Sequence, residues 1–323
     1  MSKRILVALG GNAIKQADEK GTSEEQFRNC AITCKLLAEI VKKMGENGRL
    51  IITHGNGPQV GNIIVQQEEA KRVVPAQSMD IVGAMTQGQI GYMLQQTLMN
   101  CLRDLEINVP VCTIVNQVLV DKDDPEFVGE AASKPVGNFF TKNEALKIKK
   151  EHPEYIIKKV KPARAKAWRR CVPSPDPIAN IESAVIRKFI DSGVIVIVSG
   201  GGGIPVIMDE HGHYKGVEAV IDKDLAGERL AEAVDADMFL ILTDVEKTKL
   251  NFGKPNEKDI DKITLAEAKK YLEEGHFLAG SMEPKVKACV RFLEWGGEKA
   301  IVTSLDKAIQ AFEGKTGTLI YRD

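Results

Sequence analysis

Two lysines in the C-terminal half of the sequence stand where an ammonium group could serve phosphoryl transfer. Lys223 lies between Asp222 and Asp224, just before a helical pattern, so a carboxylate could hold its ammonium group in place. The simpler interpretation is a helix-capping aspartate with exposed charges around it. Lys285 follows Pro284, which suits the first position of a helix, and the helix dipole disfavours a cation there by roughly 0.3–1 kcal/mol unless an anion binds. Both lysines are candidates for neutralising a transferring phosphoryl group.

Three glycine-containing turns each follow a predicted strand. They are Gly10-Gly11-Asn12, Gly55-Asn56-Gly57 and the four glycines of residues 200–203. Glycine lets backbone N–H groups approach a phosphoryl group without interference from a Cβ atom. One such turn is weak evidence, because glycine is common after strands. Since the carboxyl ends of parallel strands share one edge of a sheet, we expect the three turns to converge there.

Neither common phosphate-binding motif is complete in this sequence. In the segment of residues 55–61 the third glycine comes one residue too late for the dinucleotide fingerprint. Gly314-Lys315-Thr316 resembles the end of a P-loop, but Ile309 stands where that motif requires a glycine. No Ser-His-Asp or Cys-His arrangement can be assembled, and residues 211–213 are interpreted as an exposed hairpin rather than a metal site.

The elements that would position these residues alternate between short apolar runs and longer amphipathic runs. Strands are predicted at residues 4–9, 50–53, 194–198, 238–242 and 299–303, with an extended stretch at 111–120. Helices are predicted at residues 24–43 and 80–105. Strands that are apolar on both faces are typical of the middle of a parallel sheet. The pattern therefore predicts a doubly wound α/β fold.

Residues 141–170 break this alternation with a polar and basic segment that carries prolines at 153 and 162. It holds eleven Lys and Arg against three Glu, an excess of 11 − 3 = 8 positive charges. We interpret the segment as an excursion from the sheet that could form a mobile lid over an anion. A solvated basic surface explains the charge equally well.

Composition excludes several classes of protein. The chain has 323 residues and a formal charge of 44 − 45 = −1, with 28% charged and 43% hydrophobic residues, which excludes global disorder, collagen and coiled coil. A near-neutral chain is a poor candidate for a dedicated nucleic-acid binder. The apolar stretch of residues 5–9 is too short for a secretory signal, and no segment reaches the length of a membrane span. Six cysteines without a CxxC pair are expected to be reduced thiols in the cytoplasm.

Seven blocks of sequence, taken together, resemble the carbamate kinases, a branch of the amino-acid kinase family. They occur in the family's order and cover nearly the whole chain, at residues 8–13, 54–61, 83–88, 133–137, 170–175, 220–224 and 280–285. The resemblance implies an α/β fold: an open three-layer αβα sandwich with a mainly parallel central sheet, two lobes and a small protruding lid subdomain. The N-terminal lobe, residues 1–193, would hold the carbamate site, the dimerisation surface and the lid at about 121–172. Residues 194–323 would form the nucleotide-binding lobe.

The same resemblance implies Mg²⁺-dependent, reversible phosphoryl transfer between ATP and carbamate, which gives ADP and carbamoyl phosphate. In fermentative arginine breakdown the family commonly runs in the direction that makes ATP. A cytoplasmic homodimer is implied. Glycine turns and lysines without an evident nucleophile or base agree with this reaction, because phosphoryl transfer needs positioning and charge neutralisation more than covalent chemistry.

The resemblance also assigns roles to individual residues. The implied catalytic set, in which Lys134 comes from the lid and Asp224 orients the lysines, is Lys134, Lys223, Asp224 and Lys285. The residues implied to bind the carbamate and the transferring phosphoryl group are Gly10, Gly11, Asn12, Gly55, Asn56 and Gly57. Those implied to lie near the nucleotide phosphates or the nucleoside are Gly201, Gly202, Thr243, Asp244 and Val245, together with Lys285. No protein ligand to a metal is implied, so Mg²⁺ is expected to accompany ATP or ADP.

Two departures from the family pattern bear on the site. Ala8 stands where other amino-acid kinases often carry a lysine, which favours the carbamate kinase branch, with Lys223 in that lysine's place. Glu283 stands where this branch usually has glycine, and its carboxylate could repel a phosphate or pair with Lys285. Two other functions remain open at this stage: an acylphosphate-forming kinase for an amino acid such as glutamate or aspartate, and a nucleotide-binding regulatory protein without catalysis.

Overall fold

The computed structural model describes residues 3–161 and 164–322. An eight-stranded sheet with strand order β15-β17-β16-β12-β1-β2-β9-β3 forms its centre. Strands β4, β8, β10 and β11 form a second sheet, β5 to β7 a third, and β13 and β14 a short ribbon. The strands are β1 (Arg4–Leu9), β2 (Arg49–His54), β3 (Val111–Thr113), β4 (Gln117–Val120), β5 (Lys134–Phe140), β6 (Ile156–Lys159), β7 (Trp168–Val172), β8 (Pro177–Asn180), β9 (Ile195–Ile197), β10 (Ile204–Met208), β11 (Tyr214–Gly216), β12 (Met238–Thr243), β13 (Lys249–Leu250), β14 (Lys258–Asp259), β15 (Lys262–Thr264), β16 (Lys299–Ser304) and β17 (Thr318–Tyr321).

Helices cover both faces of the central sheet. They are α1 (Ser23–Met44), α2 (Gly57–Ala70), α3 (Met79–Asp104), α4 (Lys142–Glu151), α5 (Ser183–Asp191), α6 (Lys223–Ala233), α7 (Leu265–Glu273), α8 (Met282–Trp295) and α9 (Ala308–Phe312). Local sequence explains where the helices begin: in α1 the Thr22 hydroxyl accepts a hydrogen bond from Glu25 N, while the Glu25 carboxylate accepts one from Thr22 N. No helix among the described residues is long and apolar enough to span a membrane.

The alternation of side chains along β1 explains the three layers. Ile5 and Val7 pack on one face of the sheet in a buried cluster with α1 and α3. Leu6 and Ala8 point to the opposite face and pack with residues of α5, α6 and α8. Every neighbouring strand pair of the sheet is parallel except β16 with β17. The predicted αβα sandwich with a mainly parallel sheet is confirmed.

Most of the predicted elements agree with the structure to within a few residues. The strand at residues 4–9 agrees at both ends, and α1 extends the predicted helix of residues 24–43 by one residue at each end. Helix α2 was not predicted, because Gly55-Asn56-Gly57 was interpreted only as a turn, whereas Gly57 begins the helix and Pro58 lies in its first turn. Pro284 is the third residue of α8 rather than the first.

The basic segment of residues 141–170 lies outside the central sheet. Its described part forms α4, β6 and most of β7, and the antiparallel sheet in strand order β5-β7-β6 holds β6 and β7. Pro162, one of the two prolines singled out there, lies outside the described residues. Strand β9 begins at the predicted start of the nucleotide-binding lobe, yet it lies between β2 and β3. The division into lobes at residues 193 and 194 stays a prediction.

Candidate active site

The glycine turns after β1 and β2 meet at the carboxyl edge of the central sheet. Gly55 N donates to Leu9 O over 2.9 Å, and Gly10 N donates to Leu242 O at the end of β12 over the same distance. A Cβ atom on Gly55 would lie 3.5 Å from Gly11 N and 3.5 Å from Cδ of Lys223. These turns therefore border the same space as the lysine at the start of α6.

One buried carboxylate holds both candidate lysines. Asp224 Oδ1 accepts a hydrogen bond from Lys223 Nζ at 2.5 Å, and Asp224 Oδ2 accepts one from Lys285 Nζ at 2.9 Å. The Asp224 side chain is 2% exposed, and the two lysine side chains are 14% and 15% exposed. Helix α6 and helix α8 each supply one ammonium group from their first turns, so two chain segments 61 residues apart converge on one acid.

Burial and charge set the protonation of this triad. Burial alone would raise the pKa of Asp224, but Lys223 and Lys285 outweigh it and hold the pKa at about 2. Burial, together with the charge of Lys285, lowers the pKa of Lys223 although Asp224 opposes that shift. Burial also acts to lower the pKa of Lys285, but Asp224 and other nearby acids outweigh burial and raise that pKa. Two lysines share one carboxylate here, so with both protonated the triad has a surplus of one positive charge.

Asp222 connects β5 to the same helix. Its Oδ1 accepts a hydrogen bond from Asp224 N at 2.9 Å and caps α6, while its Oδ2 accepts one from Lys134 Nζ at 2.9 Å. Lys134 is the first residue of β5. Asp222 therefore caps the helix as the simpler interpretation predicted, but the charges beside it at Lys223 and Asp224 are buried rather than exposed. Asp222 also pairs with a third lysine.

The three lysines line one cleft of about 250 Å³. It is also lined by Gly55, Asn56, Gly57, Gly201, Asp222 and Asp224, among other residues. Three ammonium groups face two carboxylates here, and backbone N–H groups of the glycine turns lie beside them. Such a cleft suits a small anion with several oxygens, above all a phosphoryl group.

The residues assigned to the nucleoside lie in a second cleft. Thr243, Asp244 and Val245 follow β12 and line a space of about 150 Å³ together with apolar side chains that include Phe252 and Phe277. Asn12, from the first glycine turn, donates through Nδ2 to Asp244 Oδ1 at 2.7 Å. Asn12 thus lies between the end of β1 and the second cleft.

The structure places two further residues from the sequence analysis, Gly202 and Glu283, whose surroundings the sequence did not determine. A Cβ atom on Gly202 would lie 2.5 Å from Ile221 O, so this glycine permits close packing against the segment before α6. Glu283 is exposed on α8, and Lys285 pairs with Asp224 rather than with Glu283.

His54, passed over in favour of the surrounding backbone, packs between the second and third glycine turns. It is 1% exposed, and burial together with the charge of Lys223 lowers its pKa to about 4, so the ring is neutral at pH 7. Its Nδ1 donates to Gly55 O at 3.0 Å, and its ring fills the space where a Cβ atom on Gly200 would stand. The position of His54 at the end of a buried strand was the feature of the sequence that could have indicated this placement.

The described residues contain no group of three or more His, Cys, Asp or Glu side chains that could hold a metal ion. The acids of the lysine cleft already have partners, because Asp224 accepts from two lysines and Asp222 accepts from Lys134 and from the start of α6.

Comparison with known proteins extends this description. The model of the amino acid kinase family matches residues 3–304. The carbamate kinase of Thermococcus kodakarensis is 53% identical over 323 residues, with 99% of this chain and 100% of the relative covered. The carbamate kinase of Pyrococcus furiosus is 50% identical, with 99% of each chain covered. A solved structure of carbamate kinase from Giardia lamblia bound to AMP-PNP is 41% identical, with a TM-score of 0.91 over 100% of this chain and 99% of that one.

Proposed function

Because this chain belongs to the amino acid kinase family, and within it to the carbamate kinases, we propose that it catalyses reversible phosphoryl transfer between ATP and carbamate. The products in that direction are ADP and carbamoyl phosphate. The observation that carries the proposal is the pairing of Lys223 and Lys285 with one buried carboxylate, Asp224, in a cleft shared with two glycine turns.

In the direction of ATP formation, an oxygen of the β-phosphate of ADP attacks the phosphorus of carbamoyl phosphate. The bond between phosphorus and the carbamate oxygen breaks, and carbamate leaves with that electron pair. Lys223 and Lys285 neutralise charge on the oxygens of the migrating group, and Asp224 keeps their ammonium groups at a fixed separation. No proton has to be taken from an acceptor, which suits a cleft without a general base.

We propose that Mg²⁺ enters with the nucleotide as part of the substrate. When bound, it supplies positive charge to the phosphate oxygens. The apolar cleft beside Thr243 would accept the nucleoside, and Gly201 would lie near the nucleotide phosphates. This assignment is supported by the AMP-PNP bound to the related carbamate kinase of Giardia lamblia and by the clefts that these residues line. Residues 194–323 would thus form most of the nucleotide lobe, and residues 1–193 the lobe for carbamate.

The decisive assay mixes the purified chain with Mg²⁺, ADP and carbamoyl phosphate and measures ATP. We expect ATP formation at a typical kinase rate, about 1–100 s⁻¹. Glutamate and aspartate, tested with ATP in the reverse direction, are expected to give no acylphosphate. Product only with an amino acid would identify a different acylphosphate-forming kinase. ADP binding by calorimetry without any turnover would identify a regulatory protein.

The cellular setting is part of the proposal. Consumption of carbamoyl phosphate to make ATP would place the enzyme in arginine catabolism. The six cysteines are free thiols, five of them buried, which suits the reducing cytoplasm. Fractionation of the source cells, with activity in the membrane-free supernatant, tests the location.

We propose that the lid delivers Lys134 to the phosphoryl group. Lys134 is 32% exposed and pairs with Asp222, so it can exchange this partner for an anion. Replacing Lys134 with methionine keeps the aliphatic stem and removes the charge, and we expect kcat/KM for carbamoyl phosphate to fall by about 10²-fold. Lys166→Met, which removes an exposed charge from the same subdomain, is the matched control. Equal rates in the two variants would show that Lys134 does not act on the phosphoryl group.

We propose a homodimer that forms through α3. Its outer face exposes Ile81, Met85, Tyr92 and Met99 by 40–57%, at spacings that place them on one side of the helix. Light scattering is expected to give twice the monomer mass for the wild type and the monomer mass for Met85→Glu. Met208→Glu, at a methionine of similar exposure on β10, should remain dimeric. A wild-type chain that is monomeric at micromolar concentration would contradict the proposal.

A further inference from the structure

Ser199, the residue before the third glycine turn, has an unusual backbone conformation. Its φ of 54° and ψ of 32° lie in the left-handed region, and the residue is completely buried. The left-handed conformation is disfavoured for residues that carry a Cβ atom, and this includes serine although its side chain is small. Something in the surrounding structure must therefore hold Ser199 in place.

Asn116, in the connection between β3 and β4, binds Ser199 with both ends of its side-chain amide. Asn116 Oδ1 accepts a hydrogen bond from Ser199 N at 2.7 Å, and Asn116 Nδ2 donates to Ser199 Oγ at 3.1 Å. Asn180 on β8 completes this contact, since its Oδ1 accepts from Ser199 Oγ at 2.6 Å and from Asn116 Nδ2 at 3.0 Å. On the other side, Thr53 Oγ1 donates to Ser199 O at 2.9 Å.

Gln87 on α3 fixes Asn116 itself. Its Oε1 accepts from Asn116 N at 2.9 Å, and its Nε2 donates to Asn116 O at 3.2 Å and to Gly200 O at 3.3 Å. Thr53, Gln87, Asn116 and Asn180 are each buried, and we refer to these four side chains as the Ser199 support. Four separate segments of the chain thus converge on Ser199 and its neighbour Gly200.

The turn that follows depends on Ser199. Gly201, with φ of 67°, lines the cleft that contains Lys223 and Lys285, and a Cβ atom on Gly201 would lie 2.0 Å from Nδ2 of Asn56. Rotation of Ser199 into its preferred right-handed or extended region would redirect the chain immediately before Gly201. The direction of the Gly201 backbone relative to the two lysines is therefore set by the conformation of Ser199.

We propose that Asn116 and Ser199 are positioning residues for phosphoryl transfer: the Ser199 support keeps Ser199 left-handed, so that the backbone N–H of Gly201, the residue of this turn that lines the cleft, faces the migrating phosphoryl group. This inference rests on the function proposed above and goes beyond it, because it assigns a part in the reaction to a buried asparagine that does not line the lysine cleft. The positioning acts in the transition state, so its loss lowers kcat and kcat/KM together and leaves KM little changed.

The test uses two substitutions and their combination. Asn116→Ala removes both contacts with Ser199, and kcat for ATP formation is expected to fall roughly five- to thirtyfold, the factor by which a non-glycine residue avoids the left-handed region. Adding Ser199→Gly to that variant should recover most of the loss, because glycine enters this region freely. If Asn116 served only the stability of the fold, the double variant should be no faster than Asn116→Ala. In that case Ser199→Gly only removes a further buried hydrogen bond and does not make the turn more rigid.

A matched control separates this rescue from a general effect of glycine. Glu106 also has positive φ, 58°, but it lies in the connection between α3 and β3, away from the lysine cleft. Glu106→Gly should leave the kcat of Asn116→Ala unchanged. If Asn116→Ala does not fold, Asn180→Ala removes one acceptor of the Ser199 hydroxyl and takes its place in the same comparison.

The possible results separate this inference from the proposed function. Recovery of kcat by Ser199→Gly, and not by Glu106→Gly, supports the inference. An active wild type with a double variant no faster than Asn116→Ala overturns the inference and leaves the proposed function standing. A folded wild type that forms no ATP overturns both.

Discussion

Replacing Lys223 with alanine is expected to lower kcat for ATP formation by about 10³-fold, the scale on which removal of a group that neutralises transition-state charge acts in phosphoryl transfer. The side chain of Lys223 runs directly beside the second glycine turn, because its Cδ lies 3.5 Å from the Cβ position of Gly55. The assay is the continuous measurement of ATP from ADP and carbamoyl phosphate.

Folding should survive this change, so the loss can be assigned to the reaction. Burial lowers the pKa of Lys223, which means that the folded protein holds this charge at a cost in stability. Lys215→Ala, at an exposed lysine on β11, is the control and should keep the wild-type rate. Lys223→Arg preserves the charge, but its planar fork does not match the compact ammonium site beside Asp224, so it should remain well below the wild type. A kcat for Lys223→Ala within tenfold of the wild-type value would contradict the proposed role of Lys223 in neutralising the phosphoryl group.

The sequence predicted the parts of the site that depend on local chemistry. Lys223 stood at the start of a helical pattern beside carboxylates that could hold it, and Lys285 stood at one where an anion would relieve an unfavourable charge. Both lie in the same cleft. The strands were predictable because β1, β9 and β12 are apolar on both faces, which only a sheet covered by helices explains. Periodicity and turn chemistry act within one segment, so they can be read without knowing the fold.

Contacts between distant segments were not predictable in this way. Asn116 and Ser199 are 83 residues apart, and neither residue type signals that a buried amide will hold a left-handed serine. The role of Asp224 as the acceptor for two lysines followed from resemblance to a family, because the Asp-Lys-Asp string alone fits a simple helix cap equally well. The start of α2 was missed since proline marks both the end of a turn and the beginning of a helix.

The second large effect is expected at Asp224, the acid between the two lysines. Asp224→Asn keeps the shape of the side chain and removes its charge, which leaves two buried ammonium groups facing a neutral amide. Breaking a buried ion pair from one side costs about 3–5 kcal/mol, so the thermal midpoint should fall by several degrees. We expect kcat to fall by about 10²–10³-fold because the lysines lose the acceptor that fixes their separation.

The pH dependence of the free energy of unfolding gives a second, independent test of the charge on Asp224. The pKa of Asp224 is about 2 in the folded protein, below the value of 3.8 for an unperturbed aspartate. Its ionised form therefore stabilises the fold by about 2 kcal/mol above pH 3.8, and this contribution is lost as the pH falls from there towards 2. The wild type should lose stability over that range, and Asp224→Asn should lose less, as measured by urea unfolding at each pH.

The split between KM and kcat distinguishes orientation of the lysines from binding of the substrate. Asp224 is a negative charge beside the anion site, so its removal should not weaken the binding of carbamoyl phosphate, and KM is expected to stay the same or to fall. Asparagine also withdraws the charge that keeps both lysines protonated, so the rate of the variant should decline with rising pH earlier than that of the wild type. Asp222→Asn, which removes a carboxylate from the same cleft but leaves the Lys223–Asp224–Lys285 contacts in place, should lose less activity. A large rise in KM with kcat unchanged in Asp224→Asn would mean that the carboxylate serves binding, and that the two lysines do not need it to act on the phosphoryl group.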